Sequence, residues 1–182
     1  MKHVYIVRHC KAEGQAADAP LTAEGVRQAE KLAEFFSDKP IDYIVSSPFD
    51  RAYRTVKPLA DRLGLEIAMD ERLTERILSG GNRPDWRELL RNTFDDLDLR
   101  YVGGEASSTA MGRAVSAVTE VLNSGYKNVV IVTHGNLMSL LLKYYDSRIG
   151  FAEWEALSNP DVYRLSFVED IPSIHRVWMD IH

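Results

Sequence analysis

Residues 4–13 read VYIVRHCKAE, and this run decides the fold. Four apolar residues, β-branched or aromatic and without polar alternation, predict a short strand at 4–7 covered on both faces. The run stops on Arg8 and His9, a cation and an imidazole. In an open α/β sheet ligands bind in the crevice outside the carboxyl ends of the strands, which is where this reading puts Arg8 and His9. A single histidine after a strand is more often a packed core residue, so the pair gains meaning only from what joins it.

Downstream, DAPLTAEGVRQAEKLAEFF predicts a helix capped by Thr22, with Leu21 and Val26 as a hydrophobic staple and Val26, Ala29, Leu32, Ala33 and Phe36 on one apolar face. After Pro40, IDYIVSS reads as a second strand, parallel to the first given the crossover between them. Pro48 can open the next helix, which Pro58 is expected to kink or split. LEIAMD is a third strand, a helix is expected from Pro84, another over 109–123, and NVVIVT is the clearest strand of all. It runs into a helix with Leu137, Leu140, Leu141 and Tyr144 on one side, and two closing strands around the turn IPS form a hairpin. Together these elements predict the α/β class: a three-layer α/β/α sandwich with a largely parallel central sheet and an antiparallel edge, forming a single domain over residues 1–182.

The chain has 182 residues, 45% hydrophobic and 27% charged, enough for one domain with a real core and far from the composition of a disordered chain. A net charge of −5 argues against nucleic acid or an anionic membrane as partner, although local cations can still bind a small anion. No apolar run approaches the roughly 18 residues of a membrane span, and Arg8 ends the first run too early for a secretory leader. With Cys10 as the lone cysteine, a reducing, cytoplasmic location is expected.

The strand-end pattern recurs twice more. In VSSPFDRAYRT, Arg51 falls in the first turn of the helix after the second strand; in VVIVTHGN, His134 falls at a strand-to-helix turn. If the strands are parallel, Arg8, His9, Arg51 and His134 converge, and two guanidinium forks beside helix N-termini suit a phosphate dianion. Neutral imidazole is a competent nucleophile toward phosphorus, and a carboxylic acid could protonate the leaving alkoxide; MDERLTERILSG offers Glu71 and Glu75.

These stretches resemble the histidine phosphatase superfamily, which includes the cofactor-dependent phosphoglycerate mutases. Arg8-His9 matches the first two positions of its Arg-His-Gly signature, and the likeness continues in order through PLTAEGVRQAEKLAEFF, VSSPFDRAYRTV, RLTER, GGEAS and VVIVTHGNLM. The resemblance implies a phosphoglycerate mutase-like fold, with His9 as phosphoryl acceptor, Arg8, Arg51 and His134 as catalytic, phosphate-binding groups, and Glu75 as proton donor. It implies no metal and no organic cofactor, and a small phosphorylated metabolite as substrate. Two features depart from the pattern: Cys10 stands in place of the glycine, and KAEGQ lacks the Glu-Ser and Trp-Asn residues of the mutases.

The function expected is therefore a phosphatase acting on phosphomonoesters through a phosphohistidine. A phosphoglycerate mutase is the alternative enzyme, and a non-catalytic phospho-ligand binding module the alternative of another class. Arg54 is expected to be a solvated helix residue, Glu105 to orient a helix start, and His3, His175 and His182 to be structural or surface groups. Substrate selectivity is expected from the region between Glu75 and Glu105.

Overall fold

The computed structural model describes residues 1–179, so His182 and the end of the last expected strand, at Asp180, lie outside the described residues. Residues 4–7 are buried within β1 (Lys2–Arg8), and their side chains alternate between two cores: Val4 and Ile6 in one, Tyr5 and Val7 in the other. β4 (Asn128–Thr133) divides likewise, Val129 and Ile131 from Val130 and Val132. A strand buried on both faces has no polar face to show, which is why both read as unbroken apolar runs.

One core lies between the sheet and α1 (Ala23–Phe36) and α2 (Asp50–Leu63). The other lies between the sheet and α3 (Trp86–Asp95), α4 (Ser107–Leu122) and α5 (Gly135–Tyr145). The layers are therefore α/β/α. β2 (Tyr43–Ser46), β3 (Ile67–Met69), β5 (Asp161–Phe167) and β6 (Ser173–Arg176) complete a six-stranded sheet of order β3-β2-β4-β1-β5-β6. β1, β2, β3 and β4 are parallel, whereas β5 and β6 form an antiparallel edge hairpin. β1 and β2 share a direction, as expected, but β4 pairs between them, so the ends carrying Arg8, Ser46 and Thr133 lie side by side.

Several local expectations are corrected. Val26 is 55% exposed and makes no staple; the start of α1 is held instead by Thr22 Oγ1, which accepts the Gly25 N–H at 2.9 Å. Pro58 does not split α2, because the carbonyl its ring leaves without a donor belongs to exposed Arg54. Pro48 lies outside that helix, whose first residue is Asp50. Tyr144 is exposed although Leu137, Leu140 and Leu141 are buried. Two short elements were not anticipated, a 3-10 turn at Glu71–Leu73 and α6 (Phe151–Glu155). No helix among the described residues is long and apolar enough to cross a membrane.

Candidate active site

The loop after β1 begins with His9, 8% exposed, whose Nδ1–H donates to the Cys10 carbonyl at 2.7 Å. A carbonyl only accepts, so this bond puts the ring proton on Nδ1 and leaves the lone pair on Nε2. Nε2 receives Arg51 Nε at 3.3 Å, and the His134 ring stands 5.1 Å away, centroid to centroid. Burial, with Arg51 and Arg8 nearby, brings the His9 pKa down to about 4, against the weaker upward pull of the Cys10 carbonyl. The imidazole is thus neutral through the physiological range, and its Nε2 lone pair holds the Arg51 N–H, which must turn to a phosphoryl oxygen before Nε2 can attack.

Arg51, in the first turn of α2, is 1% exposed and donates through Nη1 to the carbonyls of Ala16 at 2.8 Å and Gln15 at 3.3 Å. Arg8 donates through Nη1 to Leu157 at 3.3 Å and Ser158 at 3.5 Å. Its guanidinium lies flat against Gly135, where a Cβ would stand 2.9 Å from Nε. Burial lowers the pKa of both guanidinium groups while the charge of Glu75 raises it, so Glu75 lies within electrostatic reach of both.

His134 is fully buried between β4 and α5, and its Nε2 lies 2.8 Å from Ser47 Oγ. Burial, then His9, Arg51, Arg8 and Arg113, holds its pKa well below the ordinary histidine value. Glu75 reaches the same helix end: its Oε2 accepts Asn136 N–H at 3.0 Å, and its Oε1 accepts Leu137 N–H at 2.8 Å and Arg76 N–H at 2.9 Å. Two of the N–H groups of α5 expected to face a phosphate, those of Asn136 and Leu137, are thus taken by Glu75. A carboxylate suits that positive helix end, and the three bonds hold it there.

The five predicted residues are therefore brought together. Glu71 is not; it lies exposed on the 3-10 turn, four residues before the inward Glu75. Arg54 is exposed beside Asp50, at 3.4 Å. Glu105 pairs with Arg113 at 2.7 Å and accepts the Ile77 N–H at 3.2 Å, locking the loop after Glu75 to α4. Arg113 also donates to the carbonyls of Arg72 and Thr74, at 2.7 Å each, so it clamps both sides of that loop. His3 bonds Ser166, and His175 is exposed.

Cys10 needs no glycine geometry, since no non-glycine among the described residues has positive φ; its N–H donates to Thr55 Oγ1 at 2.8 Å. Burial pushes its thiol up to about 12, so little of it is thiolate near neutral pH. Sequence reasoning missed Ser47, Gly135 and Asn159, whose Nδ2 donates to the His9 carbonyl at 3.0 Å. Ser47 carried a usable signal, a hydroxyl directly after a parallel strand; Asn159, 150 positions away from His9, carried none.

Comparisons with known proteins give the family and the fold. The family model of the histidine phosphatase superfamily (branch 1) matches residues 4–179. A Hydrogenobacter thermophilus protein provisionally named phosphoserine phosphatase 2 is 30% identical over 158 residues, covering 78% of this chain and 77% of its own. The Probable phosphoglycerate mutase GpmB of Yersinia pestis is 34% identical over 164 residues, covering 78% and 74%. Among solved structures, a mycobacterial glucosyl-3-phosphoglycerate phosphatase in complex with inorganic phosphate superposes with a TM-score of 0.79 at 27% identity, covering 98% of this chain and 97% of that one.

Proposed function

The chain belongs to the histidine phosphatase superfamily, branch 1, and on that premise we propose that it hydrolyses phosphomonoesters through a phosphohistidine on His9. The observation that carries this reading is the 2.7 Å bond from His9 Nδ1 to the Cys10 carbonyl, which leaves Nε2 as the lone pair facing Arg51.

In the first step Nε2 attacks phosphorus, a P–N bond forms and the P–O bond to the alcohol breaks. Glu75, a carboxylate in the resting site, takes a proton from substrate bound as the phosphate monoanion and passes it to the departing alkoxide. Arg8 and Arg51 bear the charge of the phosphoryl oxygens, in a buried setting where fixed cations act strongly. In the second step Glu75 takes a proton from water, the water oxygen attacks phosphorus, the P–N bond breaks and inorganic phosphate leaves. Low His9 basicity suits both halves, since the ring is unprotonated for attack and a good leaving group from phosphorus.

The substrate we propose is a small phosphorylated metabolite. Phosphoserine and glucosyl-3-phosphoglycerate, named for the relatives, both carry a carboxylate close to the phosphoester, so phosphorylated three-carbon acids are the first compounds to try. The Yersinia relative favours a second reading, in which the phosphohistidine returns its phosphoryl group to a bound phosphoglycerate. A turnover screen over phosphorylated metabolites, with phosphoglycerate isomerisation followed in parallel, separates the two. Phosphate release without isomerisation supports the phosphatase; isomerisation exceeding release supports the mutase; absence of both in a protein that binds phosphate supports a binding module.

A further inference from the structure

Ser47 ends the run after β2, is fully buried, and has no part in the chemistry described above. Its Oγ touches two groups: it accepts the Phe49 N–H at 3.3 Å and lies 2.8 Å from His134 Nε2. A hydroxyl has a single proton, and the Phe49 N–H uses a lone pair. The second lone pair could accept from His134, but the Ser47 proton would then have no acceptor; His134 Nε2 is the one acceptor that the described residues place within its reach, so Ser47 donates to it. A ring whose Nε2 accepts, and which is neutral, carries its own proton on Nδ1. That Nδ1 is buried without a partner among the described residues, as is Arg8 Nε, on the side chain that lies against neighbouring Gly135. Buried donors left unpaired are rare in folded proteins and call for an explanation.

We infer that Ser47 is a positioning residue that fixes His134 as the Nδ1–H tautomer, leaving that N–H to donate to the phosphoryl group on its way to His9. The inference rests on the reading of the site as one that binds a phosphoryl group. His134 is then a neutral donor and takes no proton in either step, so acid and base work falls to Glu75 alone. Burial, then the charges of Arg51 from α2, Arg8 from the end of β1 and Arg113 from α4, disfavour a positive charge on the ring, and His9 adds to this only where it is itself protonated.

The test is ¹⁵N NMR of the imidazoles in the full-length protein at neutral pH, with the His134 signals assigned by their loss in His134→Gln. Long-range correlations should show a protonated Nδ1 and an unprotonated Nε2. The reverse pattern, or two protonated nitrogens, overturns the inference. In Ser47→Ala the His134 signals should move toward a tautomer mixture and kcat/KM should fall about tenfold, the scale of one hydrogen bond to a charged oxygen. Ser47→Thr keeps the hydroxyl and should restore the Nδ1–H pattern. An activity loss in Ser47→Ala with the tautomer unmoved refutes a positioning role. If Ser47→Ala does not fold, the wild-type spectrum still decides. The tautomer is read without substrate, so failure here is distinct from failure of the phosphatase reading, which is tested on His9.

Discussion

Glu75→Gln separates the two duties that the carboxylate holds. In the resting site it accepts three backbone N–H groups, two on Oε1 and one on Oε2. A glutamine has one acceptor oxygen; with that oxygen on the Leu137 and Arg76 side, its amide faces the Asn136 N–H donor to donor. One hydrogen bond to a charged group is lost, a cost of roughly 1.5–3 kcal/mol. For a chain of this size that lowers Tm by roughly 3–12 °C, so rates are to be compared well below the transition. The chemical effect is separable because it depends on the leaving group. An alkyl alkoxide needs a proton in the transition state, and general acid catalysis contributes about 10²–10⁴-fold there. The p-nitrophenolate leaves unaided. Single-turnover phosphorylation of the mutant should thus slow by that factor with an alkyl phosphate and by far less with p-nitrophenyl phosphate. Equal losses with both esters would refute the acid role, and Glu71→Gln, altering an exposed side chain, should leave both rates unchanged.

Arg51→Ala removes the donor beside His9 Nε2; inhibition by inorganic phosphate should weaken and kcat/KM should fall at least about tenfold, with steady-state kinetics as the check. The same substitution removes a charge that depresses the His9 pKa, so the acid limb of its pH profile should move upward. Gly135→Ala drives a Cβ to within 2.9 Å of Arg8 Nε; because a side-chain end and not backbone must move, Tm should hold while kcat/KM drops about 10- to 100-fold. Gly25→Ala instead meets the Lys11 carbonyl oxygen at 2.1 Å, and should cost about 1–3 kcal/mol of stability in denaturant titration by lifting α1 off the loop after Cys10. His9 is protonated near 6.5 in the unfolded chain and near 4 in the folded one, so the unfolded state binds more protons between those pH values and stability falls as pH drops from about 6.5 to 4. Between pH 7 and 5 wild type should lose about 2 kcal/mol more than His9→Gln in urea titrations.

The strands that hold the site were legible because burial on both faces leaves an unbroken apolar run, as in β1 and β4. Their spatial order was not: β4 enters between β1 and β2 from the far end of the chain, and no local pattern records such a pairing. That Arg8, His9, Arg51 and His134 would meet followed from each lying at or just beyond the end of a parallel strand. Glu75 showed itself only through its place in RLTER, since its bonds to Asn136 and Leu137 cross about sixty residues. The supports of Arg8 were silent for another reason, being backbone carbonyls at Leu157 and Ser158, where residue type carries no signal. Val26 misled because helical spacing marks a face without saying how wide the buried stripe is.

The central claim is that the lone pair on His9 Nε2 is the group that takes the phosphoryl. Rapid mixing with ³²P-labelled substrate, a denaturing quench at alkaline pH and peptide mapping test it directly. The account predicts a base-stable, acid-labile adduct on His9, bonded through Nε2, formed at a rate no slower than turnover and absent from His9→Ala, which should fold and be inactive. Turnover in His9→Ala, or a kinetically competent adduct on any other side chain, would contradict it.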